Sequence, residues 1–315
     1  MNRLLVLPSF NVLLAIAGVY ALLCIATFIS ITLLYLKRTD GRIQLGLRIR
    51  TFWIIITVIA LSFFLAPKIA IWFWAIISFL ALKEYLTLIP TRRIDRRVLF
   101  WAYLAIPLQY YWVSSGWYEM FVIFIPVYVF LFLPLRMLIL GETAGFIKAI
   151  STLHWGVMMM VYCMSYVAAL YLLPANSTTS GNALGLIFYL LFLNQFNDAA
   201  QFLWGKLLGK HKIIPKVSPN KTVEGFIGGV LTTTVLAILL APWLTPLDIQ
   251  HAFFLGLIIG IGGFIGDITI SALKRDLGIK DTGQLLPGHG GILDRLDSLI
   301  YTAPLYFHFI RYFYY

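Results

Sequence analysis

Residues 271–297 gather more potential chemistry than any other stretch of the chain. They read Ser-Ala-Leu-Lys-Arg-Asp-Leu-Gly-Ile-Lys-Asp-Thr-Gly-Gln-Leu-Leu-Pro-Gly-His-Gly-Gly-Ile-Leu-Asp-Arg-Leu-Asp. Asp276, Asp281, Asp294 and Asp297 stand among Lys274, Arg275, Lys280, His289 and Arg295. Carboxylates that can hold a metal, beside cations that can hold phosphate, are what phosphoryl or nucleotidyl transfer requires. Asp294 and Asp297 are three residues apart at the expected start of the last helix, so they share a face. Two carboxylates on one face repel unless a cation lies between them. Oxygen-only ligation suits Mg2+, which takes one or two carboxylates plus substrate phosphates. As mere acids at a helix N-terminus they would gain only ~0.3–1 kcal/mol each from the macrodipole. Pro287-Gly288-His289-Gly290-Gly291 lets backbone amides approach a ligand closely. One histidine without nearby cysteine or ligand spacing argues against zinc. His289 fits better as a phosphate contact or hydrogen-bonding group than as a general acid or base.

Upstream, the second half of the chain is unusually acidic for its apolar surroundings. Eight of the thirteen acidic residues lie between 198 and 297. Asp198 follows Asn194, Gln195 and Asn197 at the end of one apolar run, and Asp267 closes Gly262-Gly263-Phe264-Ile265-Gly266 at the edge of another. An ionisable group at that depth is costly and should face a partner or a wet cavity. The blander alternative is an interfacial acid within reach of water. Gly256/Gly260 and Gly262/Gly266 read as small-residue packing pairs. Segment 204–224 superficially suggests a P-loop, but Gly205 and Gly209 enclose three residues rather than four, and His211 follows Lys210, so that motif is rejected. What remains is a phosphate-friendly set, Lys216, Ser218, Lys221 and Thr222, just before a helix N-terminus. Charge that merely sets topology explains such a loop about as well.

The elements that must position these residues are membrane spans. Of 315 residues 61% are hydrophobic and 12% charged, and apolar runs repeatedly reach the ~18 residues that suggest a crossing. The expected fold is an all-α polytopic bundle with about ten spans, near 10–36, 52–66, 69–87, 98–113, 117–140, 147–173, 183–203, 225–247, 252–270 and 298–314. Nine result if the short second and fourth are joined differently. Loops 37–50, 83–97, 136–148, 204–221 and 271–297 hold 21 of the 24 lysines and arginines, Arg3, Lys68 and Arg311 being the exceptions. By the positive-inside rule these loops are cytoplasmic and both termini lie outside. The same rule accounts for the basic excess without nucleic acid as a partner. The first apolar run is too long for a signal peptide and reads as a retained span. Cys24 and Cys163 sit within apolar runs, which disfavours a disulfide. Residues 1–175 are expected to be scaffold, and 176–315 a catalytic region with polar loops 204–224 and 271–297. In the first part, the basic segments 37–50 and 92–97 read as lipid contact and topology, Met158, Met159 and Met160 as packing, and Asn176-Ser177-Thr178 as a sequon by pattern alone.

The polar stretch resembles the hallmark of the phosphatidate cytidylyltransferases, or CDP-diacylglycerol synthases. The resemblance rests on Ser271, Lys274-Arg275, Lys280-Asp281, Gly283, His289-Gly290-Gly291, Asp294-Arg295 and Asp297. Upstream it continues through Asn197-Asp198, Gly209-Lys210, Pro215-Lys216-Val217-Ser218-Pro219, Lys221-Thr222, Glu224-Gly225 and Gly266-Asp267. It spans about residues 194–300; the first half is similar only as a set of apolar spans. Ala199-Ala200-Gln201-Phe202 and Val223 depart from the family pattern without removing a charged group, which points to a divergent branch. The resemblance implies CTP and phosphatidic acid as substrates, Mg2+ with room for a second cation, a homodimer among membrane lipids, and a bacterial inner membrane with the site facing the cytoplasm. Carried onto this sequence, Asp267, Asp294 and Asp297 become metal candidates, with Asp198 and Asp281 as ligands or their supports. Lys221, Lys274, Arg275, Lys280 and Arg295 would neutralise phosphates. Ser218 and Ser271 would donate to them, with Lys216, Thr222, Gly290 and Gly291 on the nucleotide and His289 nearby.

Three other readings fit less well. A CDP-alcohol phosphotransferase would show an Asp-Gly, Ala-Arg, Gly, Asp, Asp pattern, which is absent. An ion-coupled transporter tends to repeat its halves around a midplane site, whereas here the polar residues gather at one side in one half. A binding-only paralogue would be expected to have lost an acidic ligand, and none is missing.

Overall fold

The computed structural model describes residues 5–90, 96–141, 143–173, 183–283 and 290–315. Among them are ten helices and no strands. They are α1 (Phe10–Leu36), α2 (Asp40–Phe63), α3 (Pro67–Leu88), α4 (Arg96–Ser115), α5 (Tyr118–Ile139), α6 (Phe146–Leu172), α7 (Ala183–Leu208), α8 (Val223–Leu244), α9 (Ile249–Asp276) and α10 (Leu293–Tyr314). Each expected span finds its helix. Eight are long and apolar enough to cross a membrane; α4 and α10 are the less apolar two, and α10 opens with Asp294, Arg295 and Asp297. The chain is an integral membrane protein.

Several boundaries move, two of them by six residues or more. The basic segment expected as loop 37–50 is mostly the first turns of α2, which begins at Asp40 behind the N-cap residue Thr39. Arginine is a good helix former whose long stem can lie along apolar surface. Arg42 turns back to donate to the Leu33 and Lys37 carbonyls, at 2.6 and 2.9 Å, and so caps the free C-terminus of α1. Similarly, α9 runs to Asp276, so Ser271, Lys274 and Arg275 are helical rather than loop residues. In α5 the turn Phe124–Val129 is widened to π geometry around Pro126, which has no N–H to give to the ladder.

Successive helices alternate in direction. Hydrogen bonds from Asn11 to the Trp243 carbonyl and from the Asp248 N–H to the Tyr314 hydroxyl mark one end of the bundle. Contacts of Glu84 and Lys274 with the start of α10 mark the other, which carries the polar loops. There α7, α8, α9 and α10 pack side by side. Close approach depends on glycine as expected: a Cβ on Gly266 would collide with the backbone of Asp297, and one on Gly260 would press on Val230. Met160 is fully buried, as a packing residue should be. The expected division near residue 175, the sequon, and Arg92, Arg93 and His289 fall outside the described residues.

Candidate active site

Four helices converge on a group of buried polar side chains. From α7 come Asn194, Asn197, Asp198 and Gln201; from α9 come Asp267, Ser271 and Lys274; from α10 come Asp294, Arg295, Asp297 and Ser298. Lys221 and Thr222 stand just before α8, and Thr222 caps it by accepting from the Gly225 N–H at 3.2 Å. Asparagines and hydroxyls brace the helices beneath. Asn197 donates to the Gly260 carbonyl (3.2 Å) and accepts from Thr233 (3.2 Å), while Asn194 accepts from Thr302 (3.0 Å). Buried amides satisfied in this way fix helix register as well as stability.

The carboxylates divide into two centres. In the first, Asp198, Asp267 and Asp297 lie within electrostatic reach of one another, with Lys221 and Arg295 as the nearby cations. Lys221 ion-pairs with Asp267 and donates to Gln201 (3.0 Å). Ser298 Oγ lies 3.2 Å from both Asp198 oxygens and 3.1 Å from the Gly263 carbonyl, and its single proton can serve one of them at a time. The Ser298 N–H donates to Asp297 (2.7 Å), and Ser271 donates to Asp267 (3.3 Å). Three carboxylates thus share two cations and a few hydroxyls, leaving charge uncompensated. Among the described residues, no three acids, histidines or cysteines close tightly enough to cage an ion alone. A Mg2+ ion would need only one or two of these carboxylates, with water and substrate oxygens completing its shell.

In the second centre, Asp294 is saturated. One oxygen pairs with Lys274 (2.7 Å); the other accepts from the Thr282 N–H (2.9 Å) and the Gly291 N–H (3.1 Å), and lies 2.9 Å from the Thr282 hydroxyl, whose single proton it shares with Glu84. Its side chain is only 5% exposed. Asp294 therefore ties the end of α9 to both flanks of the glycine loop. Gly290, at φ 78°, makes the left-handed turn that brings Gly291 onto it.

Glu84 on α3 was absent from the sequence-based candidates. Its carboxylate accepts from the Thr282 hydroxyl (2.6 Å) and from the N–H groups of Ile292 (2.9 Å) and Leu293 (3.0 Å), the free donors at the start of α10. The first part of the chain, expected to be scaffold, thus reaches into the site. One signal was available: an acid in the last turns of a helix faces the negative end of the macrodipole, so its partner should lie elsewhere.

The remaining candidates spread outward. Arg275 is exposed and its Nε donates to the Val217 carbonyl (3.1 Å), joining α9 to the loop before α8. Glu224 folds that loop back by accepting from the Lys210 N–H (3.0 Å) and pairing with His211 (2.6 Å). Lys216, Lys280 and Asp281 are exposed and Ser218 half-buried, none within the carboxylate group.

This arrangement can be set beside known proteins. Residues 46–313 match the cytidylyltransferase family. The chain belongs to that family. Every residue of both carboxylate centres, and Glu84, lies inside the matched region. Among cytidylyltransferase relatives and similar chains, the uncharacterized protein YnbB of Escherichia coli K12 is 45% identical over 300 residues, covering 95% of this chain and 98% of that one. A phosphatidate cytidylyltransferase of Staphylococcus haemolyticus is 41% identical over 128 residues, 40% of this chain and 49% of its own length. One from Staphylococcus aureus is 40% identical over 129 residues, with the same coverage. The chain thus matches about half the length of those two enzymes.

Proposed function

We propose that the protein transfers a cytidylyl group from CTP to the phosphate of a membrane lipid, phosphatidic acid, giving CDP-diacylglycerol and pyrophosphate. The observation that carries this reading is the first carboxylate centre: Asp198, Asp267 and Asp297 beside Lys221 and Arg295, inside a cytidylyltransferase-family bundle. The partial likeness to phosphatidate cytidylyltransferases supports the choice of acceptor. A lipid phosphate oxygen attacks the α-phosphorus of CTP, and the bond from that phosphorus to the oxygen bridging to the β-phosphorus breaks. A phosphate monoester is mostly dianionic at neutral pH, its second pKa being about 6. It needs no strong general base.

The difficulty is bringing two polyanions together in a water-poor site, where preorganised cations act most strongly. Lys221 and Arg295 would meet the reacting phosphates. Lys216, Arg275 and Lys280 would draw the triphosphate in, with Ser218, Ser271 and Thr222 as nearby hydroxyls. Asp198, Asp267 and Asp297 would hold Mg2+, which would withdraw charge from the phosphates. Asp294, held by Lys274 and by the Thr282 and Gly291 N–H groups, would join the end of α9 to the residues flanking the glycine stretch, and Lys274 would neutralise it. The basic loops gather at this end, so we place it in the cytoplasm of a bacterial inner membrane, with both termini outside. A homodimer belongs to the same proposal and is carried by resemblance.

The test is pyrophosphate release by purified protein. Release that requires CTP, Mg2+ and phosphatidate together, and vanishes in Asp297→Asn, is the expected result. If folded protein binds CTP but releases nothing, phosphatidate is not the acceptor; other lipid phosphates then separate an enzyme with a different acceptor from a binding-only relative.

A further inference from the structure

Behind the first carboxylate centre, a cavity of about 330 Å3 runs between α1, α2, α3, α7 and α10. Ile16, Phe52, Phe63, Trp74 and Phe192 mark its sides. Among its described lining residues only Gln195 and Arg295 carry an amide or a charge, and Arg295 comes from the site end. The lining stretch of α2 from Phe52 to Phe63 rises about 16 Å at ~1.5 Å per residue. The cavity is therefore a slot along the bundle rather than a pit.

Helix α10 separates this slot from the polar site. Ile292, Arg295, Leu296 and Leu299 face the slot at the i, i+3, i+4, i+7 spacing of one helical stripe. Asp294, Asp297 and Ser298 form the neighbouring stripe, toward α7 and α9. Arg295 stands where the two meet. Its Nε is buried without a hydrogen-bond partner, and its charge reaches Asp198 and Asp297. A guanidinium at the edge of an otherwise apolar slot is complementary to an anion with an apolar tail, and its planar fork matches phosphate.

We propose that this slot takes one acyl chain of the phosphate-bearing lipid substrate, with Arg295 holding the lipid phosphate at its rim. The inference rests on the cytidylyl-transfer reading and names the part of the acceptor that this chain selects. The bilayer is as apolar as the slot, so burial alone supplies no drive. Affinity comes from the phosphate at Arg295, and discrimination from fit along the walls. Ile16 and Val19 of α1 line one wall, and both precede residue 46, where the family match begins. Helix α1 is pinned there by hydrogen bonds between Tyr20 and Thr57 (3.1 Å) and between Trp53 and Thr27 (3.0 Å). A wall from outside the family-matching body thus bounds the chain-length selectivity of this protein.

The wild-type protein in phosphatidylcholine nanodiscs would be loaded with phosphatidate carrying a diazirine at the far end of one acyl chain, irradiated, and mapped by mass spectrometry. Adducts should concentrate on Ile16–Val19 and Val58–Phe63 and should be displaced by unlabelled phosphatidate but not by added phosphatidylcholine. Adducts scattered over the lipid-facing surface, or displaced equally by both lipids, would overturn the slot. In parallel, Ala60→Trp, which fills the middle of the slot, should lower turnover of dioleoyl phosphatidate about tenfold while dioctanoyl phosphatidate and the KM for CTP stay within about twofold. Equal loss on both lipids would count against the slot; if this variant fails to fold, the wild-type map decides. The map reads occupancy without turnover. Slot-specific adducts without pyrophosphate release would sink the cytidylyl reading alone, and release with scattered adducts would sink the slot alone.

Discussion

Two carboxylate centres lie within one turn of α10, and they are built on opposite plans. Asp294 has a lysine and two N–H donors for its two oxygens, with the Thr282 hydroxyl shared between it and Glu84. Asp198, Asp267 and Asp297 have to share Lys221, Arg295 and hydroxyls that cannot serve them all. A saturated carboxylate holds structure. An undersupplied group of three, held together by surrounding helices, stores repulsion that a bound cation would relieve. Adjacent members of one motif therefore do different work.

Breaking the undersupplied centre should cost the most activity and the least stability. Asp198→Asn, Asp267→Asn and Asp297→Asn should each reduce Mg2+-dependent pyrophosphate release by roughly a thousandfold, the scale of lost electrostatic preorganisation. The melting temperatures of Asp198→Asn and Asp297→Asn should hold or rise, because each removes like-charge repulsion, whereas Asp267→Asn also removes the ion pair with Lys221. A large drop for Asp198→Asn or Asp297→Asn would place that residue with Asp294. At that residue the expectation reverses. Asp294→Ala strands the Lys274 charge and should destabilise the protein by about 3–5 kcal/mol, with Lys274→Met recovering part of the loss in the double variant. Thermal unfolding in detergent reads this directly, and additivity of the two changes would deny the pairing.

The fold and the undersupplied centre were legible in the sequence for different reasons. Long apolar runs separated by basic loops define spans almost by themselves, so ten helices stand where ten were expected. The start of α2 was not legible, because arginines that cap a neighbouring helix read as loop charge when the neighbour is unknown. Asp198 and Asp267 stand out as acids at the edges of apolar runs, and Asp297 through its i, i+3 spacing from Asp294; the sequence grouped Asp294 with them, and the structure sets it apart. The saturation of Asp294 was not legible, since it depends on where Thr282 and Gly291 fold back. Glu84 was least legible: its partners Ile292 and Leu293 lie 208 and 209 residues further along the chain.

Glu84 sharpens the comparison, because it supports the saturated side. Glu84→Ala leaves the Ile292 and Leu293 N–H groups without their acceptor, while the Thr282 hydroxyl can still turn to Asp294. The change should cost about 1–3 kcal/mol of stability and lower kcat more than it raises the KM for CTP. Glu84→Gln, which keeps one acceptor oxygen, should recover part of both. The smallest effect belongs to the exposed cations. Lys216→Ala should raise the KM for CTP only about two- to fivefold and leave kcat unchanged, as expected for an exposed charge.

The Glu84 contact also orders the assembly of the molecule in time. Helix α3 is synthesised and inserted long before α10 exists, and its carboxylate waits at the membrane edge until the last span arrives. The acceptor that Thr282 and the start of α10 share is thus made early, and its donors much later. Every truncated or stalled chain that lacks α10 also lacks Asp294, Arg295 and Asp297, so a site with both carboxylate centres complete exists only in a bundle in which α10 has docked.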